Sequence, residues 1–147
     1  MGVALFSLVG ILIAAYLYLY KIGVVGTLAC GTGGCETVQL SRWARFLGVE
    51  VSLIGLLGYL GLFVVALVGL QPGMVGRRSV SVLLVAMSGA GLAFAGYLTV
   101  LELFVIHAIC RWCVASAAVI SLVFALALLD LDRGRRRTAD SLPSHPA

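Results

Sequence analysis

The chain is 147 residues long, 62% apolar and only 11% charged, with ten basic residues against six acidic ones. Soluble chains carry about 25% charged residues, so this composition cannot furnish a water-facing surface. A soluble enzyme domain is excluded, no nucleic-acid partner is expected, and one polytopic membrane domain of the all-α class remains.

Four stretches reach the roughly 18 to 20 apolar residues needed to cross a bilayer. The first, Met1 to Tyr20, has no Lys or Arg ahead of it and too long an apolar run for a secretory signal. Thr27 also stands where a lipoprotein cleavage before Cys30 wants an aliphatic residue, so the segment reads as a retained helix. The loop from Lys21 to Glu50 follows. Its glycines Gly31, Gly33 and Gly34 give the pair Cys30 and Cys35 a backbone free to swing. From Glu36 to Leu47, the spacing of Leu40, Trp43 and Leu47 predicts a short amphipathic helix lying across the end of the bundle.

The second segment runs from Val51 to about Gly76 and the third from Val80 to about Ile106, with Arg77 and Arg78 in the link between them. Small residues, among them Gly10, Gly55, Gly58, Gly61, Gly89 and Gly96, suit close helix packing in lipid. Glu102 is costly at its depth in segment three unless it is paired or faces water, so it either lines a pocket or accepts a proton there, or it pairs within the bundle. Segment four, Trp112 to Leu129, follows the motif Cys110-Arg111-Trp112-Cys113. Residues 1–132 form the membrane domain, a four-transmembrane-helix bundle, and 133–147 form a basic tail expected to be disordered.

Counting crossings puts both cysteine pairs on one side. Arg77, Arg78, Arg133, Arg135, Arg136 and Arg137 share the other side with the N-terminus, against Lys21, Arg42, Arg45 and Arg111 on the cysteine side. The positive-inside rule then places both termini in the cytoplasm and the cysteines at the outer face, where disulfides persist.

A CxxC at the start of a helix brings two sulfurs within bridging distance, and the helix N-terminus with a neighbouring cation, here Arg111, favours a thiolate. Val114 instead of His after Cys113 argues against a c-type haem. Two close pairs on one face leave three readings open: static disulfides, a soft-metal site, or a relay in which one pair oxidises the other. His107, three residues before Cys110, shares its face if the helix continues, and can pass a proton there; a headgroup-level histidine is the plainer reading. Tyr59, Phe94 and Tyr97 can border an apolar pocket or simply pack.

Cys30 and Cys35 with Val38 and Ser41, then the run Gly48 to Tyr59, then Cys110 to Cys113, resemble the bacterial form of the vitamin K epoxide reductase family from about residue 5 to residue 130. The resemblance implies a membrane thiol:quinone oxidoreductase of the bacterial cytoplasmic membrane. In it Cys110 and Cys113 form the active-site pair, and Cys30 and Cys35 form the shuttle pair. It further implies that Cys113 faces the quinone, Cys110 exchanges with Cys35, Cys30 meets a thioredoxin-like partner, and Ser41 helps positioning. A quinone of the menaquinone, ubiquinone or phylloquinone type is the cofactor so implied, with Cys113, Ser41, His107 and Tyr59 as candidate contacts, and no metal is assigned. Three departures stand out: only four residues between the shuttle cysteines, Glu50 where a proline commonly starts the second helix, and no fused thioredoxin-like domain in these residues, so a separate partner protein is expected.

Overall fold

A computed structural model of the chain describes residues 1–29, 34–75 and 77–140, with side chains as far as Arg136. The described residues form five α-helices: α1 (Gly2–Lys21), α2 (Gly34–Leu40), α3 (Val51–Gly69), α4 (Arg78–Leu101) and α5 (Arg111–Asp140). A two-stranded hairpin, β1 (Arg45–Phe46) and β2 (Val49–Glu50), precedes α3. Among the described residues four spans are long and apolar enough to cross a membrane: Gly2–Lys21, Val51–Gly69, Arg78–Ile106 and Arg111–Arg136. The expected all-α bundle is therefore present, with the hairpin as a small addition.

The four long helices close into a ring in which α1 packs on α3 and α5, and α4 packs on α5 and α3. Their inner faces carry the buried set Ile13, Leu17, Leu62, Leu84, Ile120 and Val123, whereas Leu5, Leu12, Leu57, Val64 and Leu129 point outward. Apolar residues on both sides are what a helix between a protein core and lipid needs. Close approach is tightest at Gly10, where a Cβ would stand 2.3 Å from the ring of Tyr59, so this glycine of α1 admits the aromatic side chain of α3. At the far end Ser81 Oγ donates to Asp130 Oδ2 at 2.7 Å and ties the start of α4 to α5.

The loop differs from the amphipathic helix expected over Glu36 to Leu47. Helix α2 stops at Leu40 because Ser41 turns extended, and both its N–H and its hydroxyl donate to the Val38 carbonyl. A 3₁₀ turn over Arg42–Ala44 leads into the hairpin. Leu47 and Gly48 both take positive φ, 52° and 85°, which matches the right-handed twist of the flanking strands in a two-residue turn. Leu40 and Leu47 do not pack on the bundle: they are 71% and 90% exposed.

Two further expectations change. Helix α5 continues through the boundary at residue 132 to Asp140, so the first half of the basic tail is helical, with Arg136 on Asp132 at 3.0 Å in an i, i+4 pair. Residues 141–147 of that tail, and Cys30, Gly31 and Gly33 of the loop, lie outside the described residues. Helix α4 does not carry His107 on its face. It widens into a π-helical turn over Glu102–Ile106 and ends at His107, whose φ of 55° and ψ of 32° turn the chain left-handed. The i, i+3 relation to Cys110 is thereby lost.

Candidate functional site

The π turn at the end of α4 is organised by one residue. The Glu102 carbonyl accepts the Ala108 N–H at 3.2 Å, and its carboxylate Oε2 accepts the Cys110 N–H at 3.1 Å. A wider turn of this kind shifts the register of its side chains, leaving Leu103, Phe104 and Val105 outward and Glu102 inward, and such turns concentrate at functional sites. Glu102 is thus 4% exposed, at the foot of the segment that delivers the CxxC.

Cys110 caps α5. Its carbonyl accepts the first helical bond, from Val114 N–H at 3.0 Å, and its sulfur accepts the Cys113 N–H at 3.3 Å. Sulfur here does the work an oxygen does at an ordinary N-cap, satisfying a donor that the helix leaves free. Both cysteines are free thiols, Cys110 fully buried and Cys113 partly so. A hydrogen bond from the Cys113 thiol, helped by the Cys113 and Trp112 amides, holds the Cys110 thiol below the ordinary cysteine range against burial and the nearby Glu102 charge. Trp112 packs on Tyr16 of α1 at 5.1 Å between ring centroids, and Tyr16 in turn accepts the Ala29 N–H, so the start of α5 and the loop share one anchor.

Above this pair lies the cap formed by α2 and the hairpin. Cys35, in the first turn of α2, is buried and disulfide-bonded. A Cβ on the preceding Gly34 would stand 2.6 Å from the Ile109 carbonyl oxygen, so backbone meets backbone one residue before Cys35 and one residue before Cys110. Gly34 therefore acts by close approach, in place of the loop freedom expected of it. Lys21 at the end of α1 donates to the Gln39 carbonyl of α2 and pairs with Glu50 at 3.4 Å. Glu50 also accepts from Arg45 Nε at 2.7 Å, while the N–H groups of α3 start behind it without a side-chain cap. The acid in the proline's place leaves the helix intact and adds a tie between α1, the hairpin and α3.

Below the pair, α1, α3, α4 and α5 line a partly open cavity of about 430 Å³. Its wall is mostly apolar, with polar groups from Ser52, Tyr59, Thr99, Glu102, Cys113 and Ser116. A chamber of this size and character suits a flat, largely apolar ring with a few polar atoms. Tyr59 turns its hydroxyl to Ser116, donating to the carbonyl at 2.8 Å with the Ser116 hydroxyl at 3.0 Å. A second pocket of about 30 Å³ lies under the cap against Ser41 and Trp43, and Glu102 and Cys113 border both spaces.

A model of the vitamin K epoxide reductase family matches residues 1–128. The chain belongs to that family. Membership makes it a quinone-linked thiol oxidoreductase of the membrane, consistent with four apolar spans around a chamber that a thiol borders.

Of the site residues read from the sequence, Cys113 and Tyr59 line the cavity together and Cys110 stands beside them. Ser41 lies under the cap in the smaller pocket, where it ends α2. His107 is exposed at the chain reversal and lines neither space. Ser116 was not among the expected contacts, whereas Glu102, read as lining the pocket or pairing within the bundle, borders the chamber. The signal for Glu102 was legible, an ionisable group inside an apolar segment; nothing in the sequence set Ser116 apart from other helical serines.

Proposed function

We propose that this protein takes electrons from a separate thioredoxin-like protein outside the cytoplasm and delivers them to a membrane quinone, so that disulfides form in the cell envelope. The observation that carries this reading is the division of the CxxC between two environments. Cys110 is buried beside the Gly34 to Ile109 contact under the cap, whereas Cys113 borders the chamber among the helices.

The electron balance is as follows. A dithiol partner reduces the Cys30–Cys35 disulfide and leaves as a disulfide. Cys35 thiolate attacks the Cys110 sulfur of a Cys110–Cys113 disulfide, releasing Cys113. Cys30 then resolves the mixed disulfide and releases Cys110. Exchange of this kind is faster when the leaving sulfur has a low pKa, which is the direction the hydrogen bonds at Cys110 give. The form described above, with Cys35 in a disulfide and Cys110 and Cys113 as thiols, corresponds to the stage after this transfer. A quinone in the chamber would supply a two-electron, two-proton acceptor. Cys113 would face it, the Tyr59 and Ser116 hydroxyls would offer polar contacts, and the Glu102 carboxylate, hydrogen-bonded to the Cys113 thiol, would take the proton that the thiol gives up.

Free thiols at Cys110 and Cys113 favour this relay over a static bridge at that pair. The orientation that fits has both termini in the cytoplasm and the cap outside. Anaerobic assay of the purified protein with a reduced thioredoxin-like protein and a short-chain quinone tests the relay. Wild type should form quinol and Cys113→Ala should not; full turnover by the variant would refute it.

A further inference from the structure

We infer that Glu102, Cys110 and Cys113 form a three-ligand site for a thiophilic divalent cation of the zinc class, available only while the cysteine pair is reduced. The carboxylate oxygen and the two sulfurs all lie within 4.8 Å of one another, and no histidine joins the group among the described residues. Tetrahedral zinc with Zn–S near 2.3 Å and Zn–O near 2.0 Å needs ligands somewhat closer than this, a closure that side-chain rotation supplies. Two of the donors already have the C-x-x-C spacing of zinc knuckles, at the start of a helix. The third comes from α4, eight residues earlier in the chain than Cys110, and is brought in by the π turn.

Chemistry favours occupancy in the reduced state. Two thiolates and a carboxylate in a nearly solvent-free place repel one another, and a divalent cation offsets two of the three charges. Soft sulfur donors select zinc-like cations over magnesium or calcium. Cys113 and Glu102 both border the chamber, so the fourth coordination position has open space, as in catalytic zinc sites. Binding displaces the two thiol protons. Oxidation to the disulfide consumes two of the three donors, so cation and disulfide exclude each other. The site itself stands apart from the relay; its consequence rests on it: a bound cation holds the pair reduced and stops electrons at Cys113.

Cobalt(II) is the probe, because its thiolate complexes absorb in the near ultraviolet. The full-length protein in detergent, reduced with a phosphine that is then removed, should bind one Co²⁺ saturably with thiolate charge-transfer absorption, and excess Zn²⁺ should displace it. Cys35→Ser should keep that signal and Cys113→Ser should lose it. Outer-sphere partners alone are commonly worth about 10- to 100-fold in metal affinity, so Glu102→Gln should weaken binding by at least about tenfold. Protein oxidised at the CxxC, an unmutated control, should give no signal. Equal binding to oxidised protein, a signal that survives Cys113→Ser, affinity indifferent to Glu102→Gln, or no saturable signal would each overturn the proposal. Metal-free quinone turnover is measured separately, so failure of the site and failure of the relay are told apart.

Discussion

Two residues, Cys110 and Gly34, act through what stands next to them. Cys110 accepts a hydrogen bond from the Cys113 thiol and another from the Cys113 N–H, which together make its thiol more acidic than an ordinary one. Its lowered pKa contributes stability to the reduced fold above the ordinary thiol pKa, and that contribution is lost as the pH falls through the folded value. Accordingly, in a Cys30→Ala/Cys35→Ala background, thiolate absorbance should titrate at a lower pH than a free cysteine does. Adding Cys113→Ala should move the Cys110 titration upward; no movement would show that its neighbour is not the cause. Gly34 is decisive for a steric reason. Gly34→Ala puts a methyl 2.6 Å from the Ile109 carbonyl, so the cap must lift. Overpacking of this sort costs about 1–3 kcal/mol. Trapping of a Cys35–Cys110 mixed disulfide should slow in this variant while direct reduction of the CxxC by a small phosphine is unchanged.

Among the elements, the hairpin and the π turn are those a periodicity reading misses. Leu47 occupies a left-handed position that costs a non-glycine residue about 1–2 kcal/mol, and asparagine tolerates it better. Leu47→Asn is therefore expected to stabilise the hairpin, read as greater hydrogen-exchange protection from Arg45 to Glu50. The hairpin matters because Phe46 packs on Phe94 and Tyr97 at centroid distances of 5.5 and 6.4 Å, and Phe94 lines the chamber. Glu50 ties the same hairpin to α1. Glu50→Ala removes a partly shielded pair with Lys21 and a more exposed one with Arg45, worth together about 1 kcal/mol, and should show as faster proteolysis between Lys21 and Val51 with the helices intact.

For the molecule as a whole, four spans give both ends a common side, and the proposed orientation takes that side from the basic residues. A reporter active only outside the cytoplasm should work when fused after Val25 and fail after Gly73; the opposite result would invert the proposed orientation. Packing around the chamber is tight where α1 meets α3. Gly10→Ala should push Tyr59 off Ser116 at a cost of about 1–3 kcal/mol and reduce quinone-dependent turnover more than partner binding.

Composition alone determined that this is a membrane bundle, because 11% charge cannot cover a soluble surface. Segment parity and cysteine spacing predicted one end for both pairs, and the Gly34 to Ile109 contact brings Cys35 to the CxxC there. Those are properties of hydrophobic length and local order, which a sequence carries openly. The end of α2 at Ser41, the left-handed turn at His107 and the entry of Glu102 beside Cys110 and Cys113 came only with the folded chain. Each depends on a hydrogen bond or a close approach between segments, and such contacts have no period along the sequence: they exist once the ring of helices has set the distances.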